Sequence, residues 1–154
     1  TGSHPTTRLC LEWLCEAVVP GCSVLDYGCG SGILGIAAAK LGAGEVLGID
    51  IDEKAVDAAR DNAARNHADM RLQHSAVPLG DAFDLVVANI LTNPLCVLAP
   101  AISARVAPGG RVALSGVLET QAAQVIEAWA PYIALHVGAA HEGWIRLEGR
   151  RPGP

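Results

Sequence analysis

Aromatic residues are scarce in this 154-residue chain: three Trp, two Tyr and one Phe make up 4% of it. So few rings, nowhere clustered, exclude a base-stacking platform for single-stranded nucleic acid. A cationic surplus is missing too, since the formal net charge is −5 and the isoelectric point is near 5.4. That speaks against a direct nucleic-acid surface, which carries a basic stripe. An acidic chain suits a basic partner better. No uninterrupted apolar run approaches membrane-spanning length, so no membrane role is expected. The start, Thr1-Gly2-Ser3-His4-Pro5, lacks the basic n-region of a signal peptide. The five cysteines (Cys10, Cys15, Cys22, Cys29, Cys96) are odd in number and lack Cys-x-x-Cys spacing. Neither a disulfide framework nor a zinc ribbon is expected. They read as buried thiols in a reducing cytoplasm. The histidines also lack metal-ligand spacing, so no metal is expected.

What the chain does have is an alternation of short apolar runs and helical stripes, with enough length for one domain and a full core. A helix is expected over 5–19, burying Leu9, Trp13 and Ala17, and Pro20-Gly21 stops it. Strands are expected over 24–27, 45–50, 71–74, 83–89 and 111–115. Helices are expected over 33–41 and over 53–66, the latter capped by Asp52 with Ala55, Ala59 and Ala63 inward. A further helix should start with Asn93 as N-cap and Pro94 at its first position, break near Pro100 and end about 106. A loop falls at 76–82 and a turn at Pro108-Gly109-Gly110. A last helix spans 119–130 with Ala122, Val125, Ile126 and Trp129 inward. Apolar runs at 133–137 and 144–147 read as a closing antiparallel pair, and 150–154 as a solvated tail. Alternating strands and helices imply an α/β fold, a mostly parallel sheet wound on both faces.

In such sheets ligands bind beyond the carboxyl ends of the strands. Three features meet there: the glycine-rich turn from Gly28 to Gly32, Asp50 and Asn89. Glycines on alternate positions bare the main chain, and N–H groups of the following helix are expected to point into the same space. A nucleoside cofactor is the natural occupant. Two registers compete for its identity. Gly30-x-Gly32-x-x-Gly35, with Asp50 about twenty residues on, matches the dinucleotide fingerprint and would make this an NAD-dependent oxidoreductase domain. Yet the strand ends at Tyr27, so the turn begins at Gly28, and the third dinucleotide glycine is then Ile33.

Asp26-x-Gly28-x-Gly30-x-Gly32 resembles the first motif of S-adenosylmethionine-dependent methyltransferases of the Rossmann-like class I. That resemblance implies a doubly wound, mostly parallel seven-stranded sheet with a closing antiparallel strand. It also implies S-adenosyl-L-methionine as cofactor, with the Asp50 carboxylate on the ribose hydroxyls. Asp26 either serves the cofactor or accepts backbone N–H groups of its own turn.

Closer still, Thr1-Gly2-Ser3-His4-Pro5-Thr6-Thr7, the glycine turn, Gly48-Ile49-Asp50-Ile51-Asp52 and Val87-Ala88-Asn89-Ile90-Leu91 resemble the PrmA-type ribosomal protein methyltransferases. So do Leu114-Ser115-Gly116-Val117-Leu118-Glu119-Thr120-Gln121 and Gly143-Trp144-Ile145-Arg146-Leu147. This resemblance implies methylation of lysine and N-terminal amino groups of protein 11 of the large ribosomal subunit. It implies a cofactor site of Thr7, Gly28, Asp50 and Asn89, with Gly30 and Gly32 lining the turn. Residues 1–154 then form a single catalytic domain, and the family's N-terminal substrate-recognition domain is absent. A non-catalytic cofactor-binding module is the remaining alternative. Asn89 cannot be a general base, because an amide takes no proton at neutral pH; its catalytic work is hydrogen bonding. The segment Asn89-Ile90-Leu91-Thr92 lacks the prolines and stacking aromatic that resemble a planar-amide site, which favours an aliphatic amine. Thr92-Asn93 departs from the family's smaller residues there, and Trp144 reads as core.

Overall fold

The computed structural model describes residues 4–75 and 81–153. The expectations for Thr1-Gly2-Ser3 and for most of the 76–82 loop fall outside them. Helix α1 (Pro5–Ala17) starts on His4, whose ring nitrogen accepts the Thr6 N–H at 3.2 Å, and Pro5 sits at its first position. Its stripe of Leu9, Cys10, Trp13 and Leu14 is buried. Then follow β1 (Ser23–Tyr27), α2 (Ile33–Lys40), β2 (Glu45–Asp50), α3 (Glu53–Arg65), β3 (Arg71–His74) and β4 (Phe83–Asn89). Asp52 caps α3 by accepting the Lys54 N–H, as its place in the sequence requires. The buried stripe of α3 is Val56, Ala59 and Ala63, so Val56 takes the place expected for Ala55.

Beyond β4 the structure departs from the expected bounds. The helix starts at Thr92, not after an Asn93 cap, and splits into α4 (Thr92–Val97) and α5 (Ala99–Ser103). The break falls at Leu98, because the Pro100 ring displaces the backbone of the preceding turn. Val106 belongs to β5 (Val106–Leu118), which is far longer than the expected five residues. Its pairing with β4 jumps from Phe83↔Val106 to Leu85↔Arg111. The Pro108-Gly109-Gly110 turn is thus a bulge inside one strand. A 3-10 turn (Glu119–Gln121) leads into α6 (Ala122–Trp129), where Val125 and Trp129 are fully buried. The closing pair is β6 (His136–His141) and β7 (Trp144–Arg150). Ile133 and Leu135, expected to begin a strand, are core side chains on the approach to it.

The tail expected to be solvated is tied down at its start. Arg150 and Arg151 donate to the carbonyls of Gly109 and Val106, and the Arg151 peptide exchanges hydrogen bonds with Gly109 and Gly110. These contacts satisfy the backbone groups that the bulge takes out of the ladder.

The sheet order is β3-β2-β1-β4-β5-β7-β6, and β7 alone runs against the direction of the other six strands. Helices α1 and α2 cover one face with α3 beside them; α4, α5 and α6 cover the other. Between β1 and β4 the chain reverses its direction of travel across the sheet, and a crevice opens at their carboxyl ends. Cys10, Cys22 and Cys29 are buried, whereas Cys15 is exposed and Cys96 half-buried, so the expectation of five buried thiols holds for three. Among the described residues no helix is long and apolar enough to cross a membrane.

Candidate active site

The crevice holds two cavities that share a wall. The larger, about 810 Å³, is lined by Gly28 and Tyr27 of the turn, Asp50 and Ile51 beyond β2, and His74 and Ser75 beyond β3; Ile90, Leu91, Pro94 and Leu98 close it. The smaller, about 350 Å³, lies between the start of α1 (His4, Thr6, Thr7), Asn89, Gly116 and Trp144. Ile90 and Leu91 face both cavities, so the strip after β4 is the partition.

Gly28, Gly30 and Gly32 all have positive φ, a conformation that favours glycine. A Cβ on Gly30 would meet nothing within 4 Å, and of the three glycines it is Gly28 that lines the cleft. The donors, however, are largely spent within the protein. Gly28 and Cys29 both donate to Ile49 O, at 2.9 and 2.8 Å, and Gly30 donates to Asp50 Oδ2 at 2.9 Å. Gly35, in the first turn of α2, donates to Asp26. Of the donors expected from the start of α2, Gly35 is thus bonded inside the protein.

Asp50 accepts the Asp52 N–H through its second oxygen, at 2.9 Å. Each carboxylate oxygen therefore carries one backbone bond and keeps a further lone pair for a ligand hydroxyl. Asp26 lies behind the turn, 1% exposed, with Gly35 N–H at 3.1 Å. Of its two expected roles the geometry displays the backbone one. Burial pushes its carboxyl up to about 7; the Gly35 bond pulls the other way, and the Asp50 charge adds to the rise. Burial, then the charges of Asp26 and Asp50, push the Cys29 thiol up to about 12.

Asn89 Nδ2 reaches Thr7 Oγ1 at 3.4 Å, which brings together two predicted residues eighty-two positions apart. Trp144 is not core as expected. It stands on the wall of the smaller cavity with the His4 ring 5.8 Å away, centroid to centroid. Sequence reasoning missed His4, and it missed His74 and Ser75. The latter two had a signal: they stand at the carboxyl end of a strand, where the rule for open sheets places ligands.

A seven-stranded sheet of this order, with a glycine turn after its first strand and an acid closing the second, is the class I methyltransferase fold. The family model "Ribosomal protein L11 methyltransferase (PrmA)" matches residues 1–152, and the chain belongs to that family. It is 59% identical over 152 residues to the ribosomal protein L11 methyltransferase of Dechloromonas aromatica (strain RCB), covering 99% of this chain and 51% of that protein. The crystal structure of a ribosomal protein L11 methylase from Lactobacillus delbrueckii subsp. bulgaricus superposes with a TM-score of 0.91 at 37% identity, covering 98% of this chain and 81% of that one. The fold also matches the T. thermophilus 16S rRNA N2 G1207 methyltransferase in complex with AdoMet and guanosine, with a TM-score of 0.81 at 24% identity; the match spans 96% of this chain and 43% of that one. The chain thus spans about half the length of the curated relatives it matches.

Proposed function

We propose that this chain is the methyl-transfer domain of an S-adenosyl-L-methionine-dependent enzyme that methylates amino groups of ribosomal protein L11 in the cytoplasm. The observation that carries this reading is the pair of cavities meeting at Ile90 and Leu91. A donor in the larger one and an acceptor in the smaller one can touch only there. Bound at the turn, the cofactor supplies an electrophilic methyl on a sulfonium, and no phosphate.

The residues fit that group. The bare main chain at Gly28 lines the cleft, and the Asp50 lone pairs suit a ribose diol. Apolar Ile51, Leu91 and Leu98 suit the flat base. A diphosphate fits worse. The turn has spent the N–H groups of Gly28, Cys29 and Gly30 within the protein, so they cannot cradle phosphate oxygens. That favours the methyl donor over NAD. Cys29 beside the turn stays a thiol, so it offers no thiolate to compete for the methyl.

On the acceptor side, the residues lining the smaller cavity include no carboxylate. An incoming ammonium finds no counter-charge in that lining, while Ile90, Leu91 and Trp144 strip its water. Both effects favour the free amine, whose ordinary pKa of about 10.4 must fall for its lone pair to react. Asn89 points its Nδ2 at Thr7, which leaves its carbonyl oxygen to orient the amine. Catalysis here is alignment.

Calorimetry decides between the donors. S-adenosylmethionine should bind and NAD should not, and Asp50→Ala should weaken the former by at least about tenfold, or about 1.4 kcal/mol. Tight NAD binding alone would overturn the reading.

A further inference from the structure

The partition between the cavities has little structure of its own. Ile90 and Leu91 are loop, and α4 begins without a side-chain cap. It is held from the other side of the molecule. Ile90 N–H donates to Ser115 O at 3.1 Å. Thr92, 5% exposed, donates from Oγ1 to Gln121 Oε1 at 2.8 Å, and the same oxygen accepts the Leu118 N–H at 3.1 Å. Leu118 pairs with Trp144 across the β5–β7 ladder, and Glu119 N–H donates to Gly143 O at 2.9 Å. One amide oxygen therefore joins the strip that carries Asn89 to the strand ends that carry Gly116 and Trp144. Neither Thr92 nor Gln121 lines either cavity.

We propose that Gln121 is a positioning residue for the acceptor, which holds Thr92 and Leu118 on one oxygen and so fixes Asn89 opposite Trp144 across the smaller cavity. The departure at Thr92 noted in the sequence then has a use: a smaller apolar residue could not make the bond. The inference rests on the methyl-transfer reading, because only that reading assigns the smaller cavity to an acceptor. It separates two tasks. The glycine turn, Asp50 and His74 on the far wall of the donor cleft come from β1, β2 and β3, which the clamp does not touch, while the clamp acts on the strip that faces the acceptor cavity as well.

The test compares Thr92→Val and Gln121→Met, which remove the bond at near-constant shape, with Thr92→Ser and Gln121→Glu, which keep it. With L11 as acceptor and saturating labelled donor, the first pair should raise the acceptor KM about tenfold while S-adenosylhomocysteine affinity stays within about twofold. The conservative pair should bring KM back to within about threefold of the parent, and the Thr92→Val/Gln121→Met double variant should be no worse than either single change. An unchanged KM in the first pair would overturn the proposal. Equal impairment in the conservative pair, or a parallel loss of S-adenosylhomocysteine affinity, would overturn it too. Should the parent chain bind no S-adenosylmethionine, the functional reading fails by itself. Amide exchange over 90–97 then decides the clamp: faster exchange in Gln121→Met supports it, and equal exchange sinks it.

Discussion

Asp26 accepts one backbone N–H, and among the described residues no cation is paired with it. Burial therefore dominates, and its carboxyl releases a proton at about 7 instead of 3.8. An unfolded chain gives up that proton near pH 4 and the folded one near pH 7. Folding takes up a proton between those values, so the stability that neutral Asp26 contributes is fully present below pH 4 and is lost as the pH rises to about 7. Asp26→Asn holds the neutral form throughout. Its urea midpoint should fall less than that of the parent chain between pH 4 and pH 8, a difference of a few kcal/mol. Equal slopes would show that Asp26 ionises at no cost in the fold. The position of Asp26 was legible as the end of a strand before a glycine turn; its burial was not, because it depends on how the flanking helices α1 and α2 pack over β1. Distance along the chain explains His4 and Trp144. Their rings meet across a hundred and forty residues, and no local pattern announces that.

At the scale of elements, the two glycine-dependent joints of the site differ in kind. Gly116 has φ +92, and a Cβ there would stand 2.3 Å from the Ile90 carbonyl oxygen, which is backbone and cannot swing away. Gly30 also has positive φ but open space beyond it. Gly116→Ala should therefore cost more than about 3 kcal/mol in urea unfolding and disrupt the partition. Gly30→Ala should cost only about 1–2 kcal/mol of backbone strain and leave the partition intact. Comparable stability losses in both variants would mean that the β5–Ile90 contact relaxes easily. The strands β1, β2 and β4 were legible because each is a short apolar run punctuated by glycine or an acid. After β4 the signals mislead. Pro108-Gly109-Gly110 is good turn chemistry, but the pairing resumes beyond it, and only Arg150 and Arg151 from the far end of the chain hold that bulge in the sheet. Ile133 and Leu135 are as apolar as a strand, yet they face α6 and the sheet as core.

For the molecule as a whole, the donor cleft spans the point where the sheet changes direction, so it belongs to both halves of the fold. Its walls come from β1, β2 and β3 on one side and from the β4–α4 strip and α5's approach on the other. A ligand there bridges elements that also meet through the β1–β4 ladder, the packing of α1 over it and the shared core. It binds the folded chain and has no site on the unfolded one, so it must stabilise the whole by mass action. At a free concentration of a hundred times its Kd, S-adenosylhomocysteine should add about 2.7 kcal/mol. For a domain of this size that corresponds to a rise in Tm of roughly 5–10 °C. NAD at the same concentration should give none, and Asp50→Ala should shrink the response to S-adenosylhomocysteine. A shift confined to probes near β1–β3, with α6 and the β6–β7 pair melting at their unliganded temperature, would mean that the halves unfold separately. The contiguous core that runs from Leu25 and Leu47 through Leu114 to Trp129 and Leu147 argues for a single transition.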